Sequence, residues 1–337
     1  MLQRVLHWRE HAEPVLVKDD NGPSNFDRDQ SSEPQRRRKE DREGIALALG
    51  GGAAKGWAHI GVIRALEEAE IPISMIAGTS IGALVGGCYL AGKLDELEAF
   101  ARSLTRRGMF RFLDFHLGGS GLIRGMRLSD RLTDSLHGIA IEDLTRPFVA
   151  VATDSRSGHE VWIDSGSLVL AMRASYALPG VFGPVDCAGR RLLDGALVNP
   201  VPANVCRTME ERMVVAVNLS QDLYGRAAVV RLKACDTDAS TSGIGHERRH
   251  TDASRARHER FGILRSMVDA FNIIQDRISR ARLAGDPPDL SIIPRVREIG
   301  MSEFNRAGEA IDLGYEAARS RISEIRKIAM EAARINE

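Results

Sequence analysis

The chain has 337 residues, with 46 basic and 46 acidic side chains, so its formal net charge is zero. Hydrophobic residues make up 43% of the chain and aromatic residues 5%. This composition indicates a globular protein long enough to bury a core, and it excludes a fully disordered chain, a collagen-like fibre and a polytopic membrane protein. The balanced charge also argues against a dedicated nucleic-acid-binding protein, which usually carries a basic excess.

Two segments are more polar than the rest of the chain: the first 42 residues and a central stretch. Residues 1–42 are dense in balanced charge and lack a sustained apolar period, which predicts a mobile polar tail. This tail has no apolar core of signal-peptide length, and the four cysteines form no C-x-x-C pair. We therefore expect a cytoplasmic protein with reduced, structural thiols.

Residues 43–221 show the pattern of an α/β core. Apolar runs that predict four buried strands are Ile45–Leu49, Ile73–Ala77, Phe148–Ala152 and Met213–Val217. Helical spacing follows the first run from Trp57 to Ala69 and follows the second run as far as Leu90. Alternating strands and helices are typical of a mostly parallel sheet covered on both faces, and so of a three-layer α/β/α fold.

The uncharged stretch from Ile71 to Gly92 has two interpretations. It is 22 residues long, enough to span a bilayer, and its glycines at four-residue spacing resemble those of packed membrane helices. However, it contains Pro72, several hydroxyl side chains and few large aliphatic ones. We favour a strand, a turn and a helix within the core.

Residues 222–260 form a second polar segment, which we predict to be a mobile basic insert. Its three histidines, at 246, 250 and 258, could suggest a metal, but they lie in a segment with no firm helical pattern, and zinc sites have tighter clusters of ligands. Helical periodicity returns in residues 261–337, first from Ile263 to Leu283 and then from Phe304 to Ile335. We expect this C-terminal part to pack as helices on the core.

The first chemical signal is the G-x-S-x-G pentapeptide Gly78-Thr79-Ser80-Ile81-Gly82. It lies between an apolar run and a helical stretch, where a nucleophilic serine needs a sharp turn. Glycine two residues before and after the serine lets that turn close, and the N-terminus of the following helix favours negative charge at the hydroxyl. Ser80 is therefore a candidate nucleophile.

The second signal is the turn Gly50-Gly51-Gly52-Ala53-Ala54-Lys55-Gly56, whose backbone N–H groups could bind an anion. The spacing does not match a P-loop, because Gly56 stands where Ser or Thr would hold magnesium. An oxyanion hole for acyl transfer fits this turn better. Lys55 would add positive potential there or form a surface ion pair.

The third signal is Leu192-Leu193-Asp194-Gly195-Ala196, followed by Leu197-Val198-Asn199-Pro200. By itself, an aspartate followed by glycine after an apolar run is ordinarily a turn residue. Its importance depends on the two motifs before it.

Together and in this order, the three motifs resemble the patatin-like phospholipase family, particularly its bacterial serine esterases. The resemblance runs from about Ile45 to Val205 and includes Trp57–Val62, Arg173–Ser175 and Pro179–Phe182. One departure is Ala53, where the G-x-G-x-x-G form of the family turn would have glycine.

The resemblance implies a patatin-like fold and a lipid acyl hydrolase or carboxylesterase that cleaves phospholipid or lysophospholipid through an acyl-enzyme. It implies that Ser80 is the nucleophile and Asp194 its proton acceptor, and that the N–H groups of Gly51, Gly52 and Ala53 bind the oxyanion. Supporting positions in the same motifs are Gly50, Lys55, Gly56, Gly78, Gly82 and Gly195. No metal or other cofactor is needed by this chemistry, and no nucleic-acid partner is expected. We expect the protein to reach its lipid substrate by binding peripherally to an anionic membrane, such as the inner membrane, through the basic insert.

Three alternatives stay open from the sequence. The first is a nucleotide-binding α/β enzyme that uses the turn from Gly50 to Gly56, and the second is a non-catalytic regulator on the same fold. The third is a triad in which His59, His137 or His159 replaces the direct Ser80–Asp194 pair. The oligomeric state is not predicted.

Overall fold

Strand β1 (Ile45–Leu49) lies inside the central sheet and presents a different class of side chain to each face. Ile45, Leu47 and Leu49 pack in the largest of three core clusters of the described residues, whereas Ala46 and Ala48 pack in the second. Successive side chains of a strand point to opposite faces, so one five-residue run buries residues in both layers. This pattern is the reason that β1 is apolar throughout.

The computed structural model describes residues 44–104, 114–115, 123–124, 136–209, 213–221 and 270–334. The predicted tail 1–42 and insert 222–260 lie outside these residues. The remaining strands are β2 (Ile73–Thr79), β3 (Asp114–Phe115), β4 (Ile123–Arg124), β5 (Phe148–Asp154), β6 (Glu160–Ile163), β7 (Val185–Cys187), β8 (Arg190–Asp194), β9 (Val214–Val217) and β10 (Leu290–Ile292). The described helices are α1 (Ala58–Glu68), α2 (Ile81–Leu90), α3 (Leu94–Ser103), α4 (Leu168–Ser175), α5 (Ala203–Thr208), α6 (270–285), α7 (Ala307–Arg319) and α8 (Ile322–Arg334).

The central sheet is mixed, with the order β10-β9-β1-β2-β5-β8-β7 and with β6 also paired to β5. All neighbours from β10 to β5 are parallel, and β6, β7 and β8 are paired antiparallel. Strands β3 and β4 form a separate antiparallel pair. The prediction of a mostly parallel sheet is confirmed for the half that carries β1 and β2.

Helices cover both faces of this sheet. Helices α1, α2, α3, α4, α7 and α8 contribute buried side chains to the largest core cluster. Helix α5 contributes to the second cluster, on the opposite face, against which Leu283 of α6 also packs. The predicted three-layer α/β/α architecture is confirmed.

Strand β5 brings two other strands end to end along one of its edges. Its first part pairs with β2, up to Thr79 opposite Val151, and its last part pairs with β8, beginning with Asp194 opposite Ala152. Strand β6 pairs with β5 across both parts, so β2 and β8 must share the remaining edge. Two residues that are 115 positions apart in the numbering, Thr79 and Asp194, therefore lie opposite neighbouring residues of one strand.

In the described residues of the C-terminal part, helices lie within both predicted helical stretches, of which residues 263–269 fall outside the description, and a strand is present that the sequence pattern did not predict. The predicted helix from Phe304 to Ile335 is divided at Ser320 and Arg321 into α7 and α8. Strand β10 pairs in parallel with β9 at the edge of the sheet. It is only three residues long, which is too short for a periodicity to be recognised.

The stretch from Ile71 to Gly92 contains β2, a sharp turn and α2, which confirms the predicted strand, turn and helix. Nowhere in the described ranges is there a helix with both the length and the apolar character needed to cross a membrane.

Helices α1 and α7 cross at a pair of glycines, and this contact yields a stability prediction. A Cβ on Gly314 would lie 1.9 Å from the carbonyl oxygen of Ala58, and a Cβ on Gly61 would lie 1.8 Å from that of Ile311.

Gly314→Ala must push the helices apart, so we expect it to lower the free energy of unfolding by about 2 kcal/mol or more in urea titrations. Gly308→Ala, in the same helix, is the control: its Cβ would meet only the movable Arg102 guanidinium, at 3.2 Å. Its effect should be below about 1 kcal/mol, and an equally small effect of Gly314→Ala would contradict the close crossing.

Candidate active site

Ser80 lies in a strained turn between the end of β2 and the start of α2. Its backbone has φ 56° and ψ −123°, a conformation that costs a non-glycine residue about 1–3 kcal/mol. The flanking glycines make the turn sterically feasible. A Cβ on Gly78 would lie 2.5 Å from the backbone of Ala83, and one on Gly82 would lie 2.2 Å from the carbonyl oxygen of Leu49. The sequence pattern and the strained backbone therefore agree.

The Ser80 hydroxyl contacts the carboxylate of Asp194 directly. Its Oγ donates to Asp194 Oδ2 at 2.6 Å, while the other carboxylate oxygen, Oδ1, accepts from the backbone N–H of Ala196 at 2.8 Å. Asp194 is thus also the N-cap of the short 3₁₀ turn Gly195–Leu197. The turn interpretation of Asp194 and its interpretation as a partner of serine are both compatible with this geometry.

The glycine turn between β1 and α1 lies beside Ser80, because β1 and β2 are parallel neighbours whose carboxyl ends meet. The Cβ position of Gly51 is 3.6 Å from Ser80 Cβ. However, the Gly51 N–H donates to the carbonyl of Pro200 at 2.9 Å, so it is occupied in this arrangement. Within the described part of the chain, the N–H groups of Gly52 and Ala53 donate to no backbone carbonyl outside the helices and strands. The candidate oxyanion donors are therefore these two adjacent amides, without Gly51.

The rest of the turn is occupied by internal contacts. The N–H groups of Gly50, Ala54 and Lys55 donate to the carbonyls of Val217, Met301 and Gly52. Ala53 has φ 49°, so the left-handed conformation is adopted at the position where the family pattern would have glycine.

The supporting residues have packing roles around these two groups. A Cβ on Gly56 would lie 2.0 Å from Ile81 Cγ2, and one on Gly195 would lie 2.2 Å from the carbonyl oxygen of Val151. Both glycines therefore permit close approach beside the candidate dyad. Lys55 is 4% exposed, so its side chain is buried and does not lie on the surface.

His59 contacts the glycine turn and not the candidate dyad. Its Nε2 lies 2.7 Å from the carbonyl oxygen of Gly50, which can only accept, so Nε2 carries a proton and donates. Burial lowers the pKa of His59 to about 4 in spite of this hydrogen bond. The ring is therefore neutral at pH 7. Among the described contacts, none joins His59, His137 or His159 to the side chain of Ser80 or Asp194, which favours the direct pair over a triad.

Two buried hydroxyl groups that contact the candidate dyad were not predicted. Ser175, at the end of α4, accepts the backbone N–H of Ser80, and Thr153, in β5, donates to the carbonyl of Asp194. Each interrupts an apolar run, of which Thr153 in Phe148–Asp154 is the clearer case. Ser175 also lies in the Arg173–Ser175 stretch that resembles the family, but no role was assigned to it there, and for Thr153 the polar residue inside a buried run was the signal.

No cluster of three or more potential metal-ligating side chains is found in the residues that the structure describes. The three histidines of the 222–260 segment lie outside those residues.

A model of the patatin-like phospholipase family matches residues 47–207, the range that holds the glycine turn, Ser80 and Asp194. An uncharacterized NTE family protein of Mycobacterium tuberculosis is 34% identical over 324 residues, which cover 81% of this chain and 90% of that protein. The chain belongs to the patatin-like phospholipase family.

Other relatives match a smaller share of this patatin-like protein. The human patatin-like phospholipase domain-containing protein 6 is 33% identical over 206 residues, which cover 59% of this chain and 14% of that protein. The neuropathy target esterase of Drosophila melanogaster is 33% identical over 187 residues, covering 53% of this chain and 13% of that esterase. The crystal structure of VipD from Legionella pneumophila has a TM-score of 0.46 and 12% identity, covering 84% of this chain and 67% of VipD.

The electrostatics of the patatin-like site depend mainly on the burial of Asp194. Desolvation raises the pKa of this carboxyl from 3.8 to about 6, and the hydrogen bonds from Ser80 and Ala196 only partly oppose that rise. A group with a raised folded-state pKa favours folding fully at pH values below its unfolded pKa, and this contribution is lost as the pH rises through the folded value. The ionised carboxylate therefore destabilises the fold above about pH 6.

Asp194→Asn should consequently stabilise the protein in a pH-dependent way. The two-unit difference corresponds to about 2–3 kcal/mol, so the gain in unfolding free energy should be small near pH 4, grow up to pH 6 and stay constant above it. Urea titrations from pH 4 to 8 measure this gain. Asp186→Asn, at an exposed carboxylate of the β7–β8 hairpin, should stay within about 0.5 kcal/mol of wild type throughout. A gain for Asp194→Asn that does not depend on pH would refute the burial effect.

Proposed function

We propose that this member of the patatin-like phospholipase family is a serine lipid acyl hydrolase or carboxylesterase. Membership of the family supports lipid hydrolysis in general. The Ser80 Oγ–Asp194 Oδ2 hydrogen bond, 2.6 Å long and located at a strained turn, is the single observation that carries the finer proposal. It joins a candidate nucleophile directly to a candidate base.

In the proposed first half-reaction, Ser80 Oγ forms a bond to the carbonyl carbon of an acyl ester while its proton passes to Asp194 Oδ2. The N–H groups of Gly52 and Ala53 stabilise the resulting oxyanion. When the tetrahedral intermediate collapses, the bond between the carbonyl carbon and the alcohol oxygen breaks. The leaving alcohol takes the proton from Asp194, and the acyl group stays on Ser80.

In the second half-reaction, water attacks the acyl-enzyme and gives a proton to Asp194. The bond to Ser80 Oγ breaks, the serine recovers the proton, and the carboxylic acid leaves. A free aspartate is a weak base near neutrality, but a buried one whose pKa is about 6 is a better match for this task. The burial that destabilises the fold thus supports the proposed chemistry.

The contacts of the glycine turn weigh against the nucleotide-binding alternative. Phosphate binding needs several free N–H groups that converge on one concavity. Here the N–H groups of Gly50, Gly51, Ala54 and Lys55 donate to protein carbonyls. The pair that is left, Gly52 and Ala53, suits a single oxyanion better.

Phospholipid or lysophospholipid is the proposed substrate class. Cytoplasmic location stays a prediction from the sequence. Peripheral contact with an anionic membrane also stays a prediction, because the basic insert on which it rests lies outside the described residues. The mobility of residues 1–42 also stays a prediction, because these residues lie outside those that the structure describes.

Substitution of the candidate dyad tests the proposal. Ser80→Ala and Asp194→Asn should each lower kcat/KM by about 10³-fold or more for a p-nitrophenyl ester and for lysophosphatidylcholine. Ser167→Ala and Asp186→Asn are the matched controls, and both should keep wild-type rates. A fluorophosphonate should label wild type at Ser80, as mapped by mass spectrometry. A folded wild type that is neither labelled nor hydrolytic would support the non-catalytic alternative and overturn the proposal.

The pH dependence of the reaction gives a separate test. Since Asp194 must be ionised to accept a proton, kcat/KM should fall tenfold per pH unit below about pH 6. A profile that stays flat between pH 4.5 and 7 would contradict the assignment of Asp194 as the base.

A further inference from the structure

The hydroxyl group of Ser175 stands between the nucleophile's backbone and strand β5. It accepts the N–H of Ser80 at 2.8 Å and donates to the carbonyl oxygen of Val151 at 2.6 Å. Ser175 is completely buried, so water cannot replace either bond. One side chain thereby connects the strained residue to the strand beside it.

The register of the sheet explains why such a connection is needed. Thr79 is the last β2 residue opposite β5, and the next residue of β5, Ala152, faces Asp194 of β8. Because the chain turns away from β5 at Ser80, the N–H of this residue is not paired with that strand. The Ser175 hydroxyl replaces the missing backbone hydrogen bond between the two strands, because it accepts from the Ser80 N–H and donates to the Val151 carbonyl.

A second hydroxyl group does the same for the other candidate catalytic residue. Thr153 Oγ1 donates to the backbone carbonyl of Asp194 at 2.8 Å, and Thr153 is 4% exposed. The Ser175 hydroxyl therefore links the backbone of Ser80 to Val151 of β5, and the Thr153 hydroxyl links the backbone of Asp194 to the same strand. Both bonds act on main-chain atoms and leave the reacting Oγ and Oδ2 atoms untouched.

We propose that Ser175 and Thr153 are positioning residues that keep Ser80 Oγ within hydrogen-bonding distance of Asp194 by fixing both backbones to β5. This inference rests on the proposed function, to which it adds two residues that act through the dyad and do not touch the substrate. An error of about 1 Å in the placement of reacting groups can reduce a rate about 100-fold, so bonds that fix the two backbones have a direct effect on turnover.

Hydroxyl-deleting variants with matched controls test the inference. Ser175→Ala and Thr153→Val should each lower kcat about 10- to 100-fold with a change in KM below about threefold, and should slow fluorophosphonate labelling of Ser80 by the same factor as kcat. Thr153→Ser restores the hydroxyl group and should recover most of the lost kcat. Ser167→Ala removes the hydroxyl group that caps the other end of α4 and should leave kcat unchanged.

The titration of Asp194 supplies a readout that does not depend on catalysis. The Ser80 hydrogen bond lowers the pKa of Asp194, so a displaced Ser80 must let this pKa rise further above about 6. Carboxyl NMR should detect an upward shift of about half a unit or more in Ser175→Ala and in Thr153→Val, and none in Ser167→Ala.

The outcomes separate the two proposals. If wild type is active but Ser175→Ala and Thr153→Val keep wild-type kcat and the wild-type Asp194 titration, the positioning role is refuted and the proposed function stands. An equal loss of kcat in Ser167→Ala also refutes it, because any loss of α4 stability would then suffice. If wild type is inactive, the proposed function fails, and the NMR titration alone decides whether the two hydroxyl groups hold Ser80 against Asp194. If one deletion variant does not fold, the other decides.

Discussion

The single edge of β5 shared by β2 and β8 is the constraint on which the site depends. Two strands that run in opposite directions end head to head along that edge, at Thr79 and Asp194. A residue that leaves the end of β2 in a sharp turn must then lie beside the end of β8. Neither strand alone could set the 2.6 Å bond between Ser80 and Asp194.

The same arrangement raises the free energy of the folded state in two ways, through backbone strain and through the burial of a polar group. Ser80 is held in a strained backbone conformation, and Asp194 is held where desolvation raises its pKa. The surrounding core of large aliphatic side chains and the close packing of α1 on α7 supply the stability that offsets these costs. A patatin-like site of this kind is therefore a local exception inside a well-packed fold.

Glycine has a steric function at most of the motif positions. Gly56, Gly78, Gly82 and Gly195 each occupy a place where a Cβ would overlap a neighbouring atom. Gly56 meets Ile81 and Gly82 meets Leu49, which brings the first two motifs together, and the Cβ position of Gly51 lies 3.3 Å from Ala196 Cβ of the third motif. Such mutual fit explains why the three motifs are informative together, whereas each is ambiguous alone.

The sequence by itself determined the local chemistry: the apolar runs of β1, β2, β5 and β9, the turn at Ser80, and an aspartate that ends an apolar run. These features depend on residues close together in the chain, so their pattern is readable without a structure. Only the tertiary structure decided which groups face each other. It paired Ser80 with Asp194 through the register of β5, occupied the Gly51 N–H with the Pro200 carbonyl, buried Lys55, and brought Ser175 and Thr153 to the two backbones. These outcomes depend on contacts between residues far apart in the chain, and a pattern of neighbours carries no information about such contacts.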